Sequence, residues 1–252
     1  MNTYTTLKTR FVRGAAILTF ESPANDNSIT PLFLEEFQAA LAALPREVGV
    51  LVLEGSPHVF CTGADLHRLD DRNPGDLVDA ETLYRLWTGL MSGPYITIAH
   101  VRGRAMAGGI GFVASCDLVI AEETARFSLP ELLFGLYPAC VMPFLIRKIG
   151  FQRTHAMTLL SETLSAETAL SWGLVDKMGG DSVRLLDQTL RRLERLDPSS
   201  VSQYKAYANG LCRRIGELRE DAVRENRKLF SDVGKLALIK RYSETGLFPW
   251  EA

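Results

Sequence analysis

Two glycine-containing turns and one glutamate are the places where this sequence could do chemistry. The first turn is Phe60-Cys61-Thr62-Gly63-Ala64-Asp65-Leu66, and the second is Ala107-Gly108-Gly109-Ile110-Gly111. Small residues let a ligand carbonyl approach backbone N–H groups, and a glycine-rich turn that opens a helix adds the helix's positive end. Two such N–H groups aimed at one oxygen would form an oxyanion hole, worth on the order of 3 kcal/mol per donor in a transition state. The glutamate is Glu131, in Phe127-Ser128-Leu129-Pro130-Glu131-Leu132-Leu133-Phe134-Gly135. An acid in a first helical turn complements the helix dipole and needs no other role. Yet its neighbours Leu129, Leu132, Leu133 and Phe134 are all apolar, and desolvation raises a carboxyl pKa until it can carry a proton near neutrality.

Other readings of the same residues compete. Each turn is also compatible with a plain loop capping a strand. Gly109-Ile110-Gly111-Phe112-Val113-Ala114 satisfies the G-x-G-x-x-A dinucleotide fingerprint. Its context argues against that use, because polar Arg102-Gly103-Arg104 and then Ala105–Gly108 separate it from the preceding strand. The acid at ribose spacing, Glu131, follows a proline instead of ending a strand. His100 ends an apolar run at the same edge, as a buried structural residue or as a substrate contact. Tyr84, Arg102 and Tyr137 divide in the same way between packing and ligand binding, and a buried arginine must find an anion. His58, His67 and His155 have no companion at metal-ligand spacing, and Cys61, Cys116, Cys140 and Cys212 contain no Cys-x-x-Cys. These spacings predict neither a metal site nor a disulfide framework. No Gly-x-Ser-x-Gly elbow, Walker loop or His-Glu-x-x-His is present.

The elements that must hold these groups follow from hydrophobic period. Thr6–Phe11 and Ala15–Phe20 predict a hairpin turning at Arg13-Gly14. Thr30-Pro31 is an N-cap and first-turn pair, and Leu34, Phe37, Leu41 and Leu44 recur at helical spacing. Val48–Leu53, Tyr95–Val101 and Asp117–Ala121 are nearly all apolar, as strands of a parallel sheet buried on both faces are. A helix is expected around Ala80–Met91, and a short one within Ala107–Ser115. In such a sheet the ligand crevice lies outside the carboxyl ends of the strands, where both turns would sit. Beyond about residue 140 the pattern becomes helical: Pro143–Ile149, Arg153–Leu160, Ala166–Trp172, Val183–Leu196, Ser199–Arg214 and Glu217–Leu229, punctuated by Gly150, Gly173, Gly179-Gly180, Pro198 and Gly216.

Composition narrows the function classes. The 252 residues carry 28 Lys+Arg against 30 Asp+Glu, a net charge of −2 that leaves no basic surplus for binding nucleic acid or an anionic membrane. Apolar runs such as Leu136–Ile146 contain prolines and fall well short of the roughly 20 residues that span a bilayer. The opening Met-Asn-Thr-Tyr-Thr-Thr-Leu-Lys has no apolar signal core, so a cytoplasmic protein is expected.

Taken in order, the three chemical segments resemble the crotonase (enoyl-CoA hydratase/isomerase) superfamily, and the resemblance runs from the hairpin to Ser165-Ala-Glu-Thr-Ala-Leu-Ser-Trp-Gly-Leu-Val175. It implies an α/β fold: a core of repeated ββα units over residues 1–195 and a C-terminal helical trimerisation region over 196–252. It also implies an oxyanion hole from the N–H groups of Ala64 and Gly108, which receive a thioester carbonyl as it becomes an enolate. Hydratases of this family carry two glutamates. One falls on Glu131; the other falls on Gly111, which has no side chain. Asp65, Tyr84, His100, Arg102 and Tyr137 are the candidate substrate contacts. Leu132–Cys140, Gly93-Pro94-Tyr95, His100–Gly103 and Glu244–Glu251 further resemble the dehydratases of polyketide β-branching cassettes, which remove water from 3-hydroxy-3-methylglutaryl-acyl carrier protein to give the 3-methylglutaconyl thioester. That resemblance implies a lyase with Glu131 as acid and base and an acyl carrier protein as partner. It also implies no cofactor beyond the phosphopantetheine arm of the substrate, and a homotrimer or hexamer. Arg68, Arg72, Arg147, Lys148 and Arg153 are candidates for a basic patch facing the acidic carrier. A double-bond isomerase, which also needs one carboxylate, and a non-catalytic thioester-binding paralogue are the alternatives.

Overall fold

The hairpin forms where the apolar pattern puts it: β1 (Leu7–Val12) pairs antiparallel with β2 (Ala15–Phe20) across Arg13-Gly14, both at positive φ. The computed structural model describes residues 4–64, 78–211 and 214–251, and among these it holds ten strands and ten helices. Thr30 Oγ1 accepts a hydrogen bond from Phe33 N at 3.0 Å and caps α1 (Pro31–Ala42). The expected apolar runs become β3 (Val50–Glu54), β5 (Ile96–Val101) and β7 (Leu118–Glu122), which lie parallel and side by side next to β2. With β10 (Lys177–Gly179) they complete a six-stranded sheet in the order β1-β2-β3-β5-β7-β10.

Each central strand is followed by a second, very short strand and then a helix. β3 leads to β4 (Val59–Cys61) and α2 (Ala80–Ser92). β5 leads to β6 (Arg104–Met106) and α3 (Gly108–Ser115). β7 leads to β8 (Arg126–Ser128), a 3₁₀ turn (Glu131–Phe134) and α4 (Met142–Leu160). The short strands, with β9 (Leu164–Ser165), form a separate sheet in the order β4-β6-β8-β9. This is the repeated ββα arrangement that the resemblance implies. A strand of three residues has no readable period, which is why hydropathy alone misses the second sheet.

Alternation along the main strands creates two cores. Val50, Val52, Ile96, Ile98 and Ile120 face α6 (Ser182–Leu193), where Leu186 and Leu190 cover them. Leu51, Leu53, Ala99, Val101, Val119 and Ala121 face the larger core shared with α2, α3 and the second sheet.

The helical remainder departs from the sequence reading at two points. The segments expected as two helices around Gly150 are one helix, α4, kinked at that glycine, whose φ is 79°. After α5 (Ala166–Trp172), α7 (Pro198–Leu211), α8 (Arg214–Glu217) and α9 (Arg219–Phe230) comes a further helix, α10 (Val233–Thr245). Lys205 ties α7 to the sheet: its Nζ donates to Asp117 Oδ2 at 2.6 Å and to Tyr95 O at 2.7 Å. α9 and α10 fold back on their own chain, where Leu229 and Ile239 pack with Phe134, Leu136 and Ala139. Tyr242 lies 5.2 Å from Phe134 and 4.7 Å from Phe248, between ring centroids. Among the described residues no helix is long and apolar enough to cross a membrane, and no cluster of side chains could hold a metal ion.

Candidate active site

β4 and β6 are parallel neighbours, with Cys61 opposite Ala105, so the turns that leave them begin side by side. Their contact is close enough to require glycine. A Cβ on Gly63, whose φ is +88°, would stand 2.8 Å from Ala107 Cβ and 2.9 Å from Gly108 N. One on Gly108 would stand 3.9 Å from Ala64 N. Ile29 N donates to Gly63 O at 2.7 Å and pins the first turn, leaving the Ala64 N–H outside that bond. In the second turn Ala107 adopts φ 47° and ψ −122°, a strained conformation for a residue with a side chain, worth about 1–3 kcal/mol. Its own N–H donates to Ser128 O at 3.0 Å, and the twist presents the next N–H, that of Gly108, at the first position of α3, where no intrahelical acceptor exists. Among the described residues neither the Ala64 nor the Gly108 N–H has a hydrogen-bond partner.

Glu131 follows on the chain from the other end of that Ala107–Ser128 hydrogen bond. β8 stops at Ser128, opposite Met106, and Pro130 starts the 3₁₀ turn with Glu131 as its first residue. The turn is closed by Gly135 at φ +72°, whose N–H points back to the carbonyls of Glu131 and Leu132. Gly108 is the residue after Ala107 and Glu131 the third after Ser128, so the chain between the two groups allows at most about 11 Å on the longer arm. Carboxylate oxygen Oε2 of Glu131 is buried and has no partner among the described residues. Burial pushes its carboxyl up to about 7, against a smaller pull from its own backbone N–H. Two unpaired amides and an acid that ionises near neutrality can stabilise an oxyanion and move a proton.

The remaining candidates are engaged elsewhere. His100 was expected at the crevice; it instead shares the face of Ile96 and Ile98, on the opposite side of the sheet from the two turns. There its Nδ1 lies 3.3 Å from Glu54 Oε2 and its Nε2 lies 2.9 Å from Ser182 Oγ, which also donates to Glu122. Burial would raise the Glu54 carboxyl, but hydrogen bonds from His100, Arg10 and Thr19 hold it at about 2. Tyr84 donates its hydroxyl to Ile215 O at 2.6 Å and anchors the C-terminal helices. Tyr137 donates to Glu225 Oε2 at 2.6 Å. Arg102 Nη2 donates to Gly55 O at 2.8 Å, while its buried Nε has no partner among the described residues. Asp65, Arg68 and Arg72 lie outside the described residues. Of the other basic residues, Lys148 pairs with Asp176 at 3.2 Å, Arg153 donates to Trp172 O and Arg147 donates to Asn209.

The glycines of the would-be dinucleotide fingerprint serve packing. A Cβ on Gly109 would run into the carbonyl of Cys61, and one on Gly111 would run into the six-membered ring of Trp87. The space that a side chain at residue 111 would enter is therefore filled by an indole. Sequence reasoning passed over Trp87, because in α2 it reads as one more core residue.

The profile of the enoyl-CoA hydratase/isomerase family matches residues 10–252, and the chain belongs to that family. It is a hydratase/dehydratase-type carbon–oxygen lyase of crotonase fold. Among its relatives, the bacillaene synthase dehydratase PksH of Bacillus subtilis (strain 168) is 44% identical over 99% of this chain and 98% of its own length. A crystal structure described as a polyketide biosynthesis enoyl-CoA hydratase (pksH) from Bacillus subtilis superposes with a TM-score of 0.94 at 44% identity, covering 98% of this chain and 100% of that one. The 2,3-dehydroadipyl-CoA hydratase of Escherichia coli (strain K12) is 33% identical over 63% of each chain.

Proposed function

We propose that this enzyme is the dehydratase of a polyketide β-branching pathway, converting 3-hydroxy-3-methylglutaryl-acyl carrier protein to 3-methylglutaconyl-acyl carrier protein. The observation that carries this reading is the buried, unpartnered Glu131 carboxyl oxygen on the turn that follows β8, the strand paired with β6, together with two amides that have no partner among the described residues and with no second acid at residue 111. The whole-length likeness to a dehydratase named for a polyketide synthase supports the substrate class.

An α-proton next to a thioester is a weak acid, and hydroxide on a tertiary carbon is a poor leaving group. One carboxylate serves both ends of the problem. The thioester oxygen lies against the N–H groups of Ala64 and Gly108, so the charge that develops there as the α-proton leaves is met by fixed donors. Glu131 takes the α-proton and becomes an acid. The enolate electron pair then forms the α,β double bond as the β-carbon–oxygen bond breaks, and the departing oxygen takes the proton from Glu131 and leaves as water. Glu131 ends as it began. A carboxyl that ionises at about 7 suits both halves, since neither form is far from the working pH.

The experiment offers the hydroxylated carrier thioester to the enzyme and reads product mass. Loss of one water is expected; an unchanged mass with a shifted double bond on an enoyl thioester would replace dehydration by isomerisation. We place the reaction in the cytoplasm, with the phosphopantetheine arm arriving as part of the substrate. A homotrimer or hexamer is the working assembly we propose. It is supported by the exposed stripe of Phe151 and Leu159 on α4, at 59% and 60% exposure, which an isolated chain would leave in water.

A further inference from the structure

We propose that Trp87 Nε1–H donates a hydrogen bond to the β-hydroxyl oxygen of the substrate and holds it in line for departure; this rests on the dehydratase reading above. Gly111 lies one helical turn beyond the Gly108 N–H, about 4.5 Å along α3. A Cβ there would meet Trp87 Cζ2, Cη2 and Cε2, and Cε2 is the atom bonded to Nε1. The indole therefore stands directly against Gly111, one turn along α3 from the Gly108 amide. In the substrate the hydroxyl sits on the carbon two bonds from the carbonyl carbon, so a donor one turn from the oxyanion amide is suitably placed for it.

Trp87 is 1% exposed, and its Nε1 has no acceptor among the described residues. Buried indoles ordinarily find a partner for that hydrogen. This one cannot turn to seek one: its ring is held edge-on by Phe112 at 5.9 Å and 86°, and by Phe144 at 5.7 Å and 77°. Tyr84, one turn earlier on the same helix, satisfies its hydroxyl on Ile215 O, so of these two buried donors on α2 only that of Trp87 is orphaned. The other candidates for a substrate hydroxyl, Tyr137 and His100, are spoken for by Glu225 and by Glu54 with Ser182. An indole N–H orients an oxygen without supplying a proton, so it leaves the proton transfer to Glu131. It also cannot activate a water for the reverse addition, as a second carboxylate would.

The test compares the wild type with Trp87→Phe on two substrates. On the 3-hydroxy-3-methylglutaryl carrier thioester, kcat for water loss should fall about ten-fold or more. On the 3-methylglutaryl thioester, which lacks the hydroxyl, exchange of α-hydrogen with deuterated water should stay within about two-fold, and the melting temperature should not fall. Water loss unchanged by Trp87→Phe overturns the proposal, and so does an equal fall in exchange, which would mean that the ring only props up the amides or Glu131. If the wild type itself shows neither exchange nor water loss, the dehydratase reading fails instead. As a check that leaves Trp87 in place, the indole ¹H–¹⁵N resonance of Trp87 in Glu131→Gln should move on adding the hydroxylated thioester and stay still with the deoxy one; the same response to both sinks the assignment.

Discussion

Glu131 is held in a state that favours chemistry over stability, and the two can be separated by pH. Its carboxyl is raised from 4.5 to about 7 by burial, so between those values the native chain binds a proton that the unfolded chain has lost. Stability is then fullest below pH 4.5 and declines as pH rises through 7, by about 3 kcal/mol in all. Glu131→Gln should therefore lower kcat about 10²–10⁴-fold while raising unfolding free energy at pH 8 and leaving it unchanged at pH 4. Denaturant titrations at the two pH values read the second effect. In the wild type, kcat/KM should climb through a midpoint near 7, because the carboxylate form takes the first proton. The apolar setting of this residue was legible in Leu129, Leu132 and Phe134. The wrong side given to His100 was not a failure of pattern, since Ile96, Ile98 and His100 share a face by simple alternation. What the sequence could not tell was which face the site occupies.

That question is answered by the short second sheet, whose strands bring the turns after β4 and β6 together. Gly63 is the tightest point of that contact. Gly63→Ala would place a methyl 2.9 Å from Gly108 N at a φ of +88°, so the turns must part and one oxyanion donor is misplaced. The expected result is a fall of about 10²–10³ in kcat with the fold retained, read by steady-state kinetics beside far-UV circular dichroism. The main strands and the capped helix α1 could be located from hydrophobic period and from Thr30-Pro31. The three-residue strands could not, and α10 was passed over although Leu236, Ile239 and Tyr242 recur at helical spacing. α7 depends on a buried charge. Lys205 and its partner Asp117 have side chains 5% and 22% exposed. Lys205→Met leaves that carboxylate facing Thr97 alone and should destabilise the protein by about 3 kcal/mol in urea unfolding.

The whole molecule closes on itself around the turn that carries the acid. The helices expected to serve assembly also cover their own chain: Ile239, Tyr242 and Phe248 lie against Phe134 and Leu136, a few residues from Glu131. Removing residues 232–252 should let water reach the Glu131 carboxyl and draw the pH midpoint of kcat/KM down toward 4.5, with a lower maximal rate. The net charge of −2 had argued against a nucleic-acid or membrane role, but nothing in hydropathy tells which surface a C-terminal helix will choose. The back-folded tail also bears on timing. Chains leave the ribosome N-terminus first, so the turn with Glu131 emerges long before α10 does. Until α10 has emerged and folded back, that carboxyl is open to solvent and behaves as an ordinary acid, so the nascent enzyme works more slowly than the folded one.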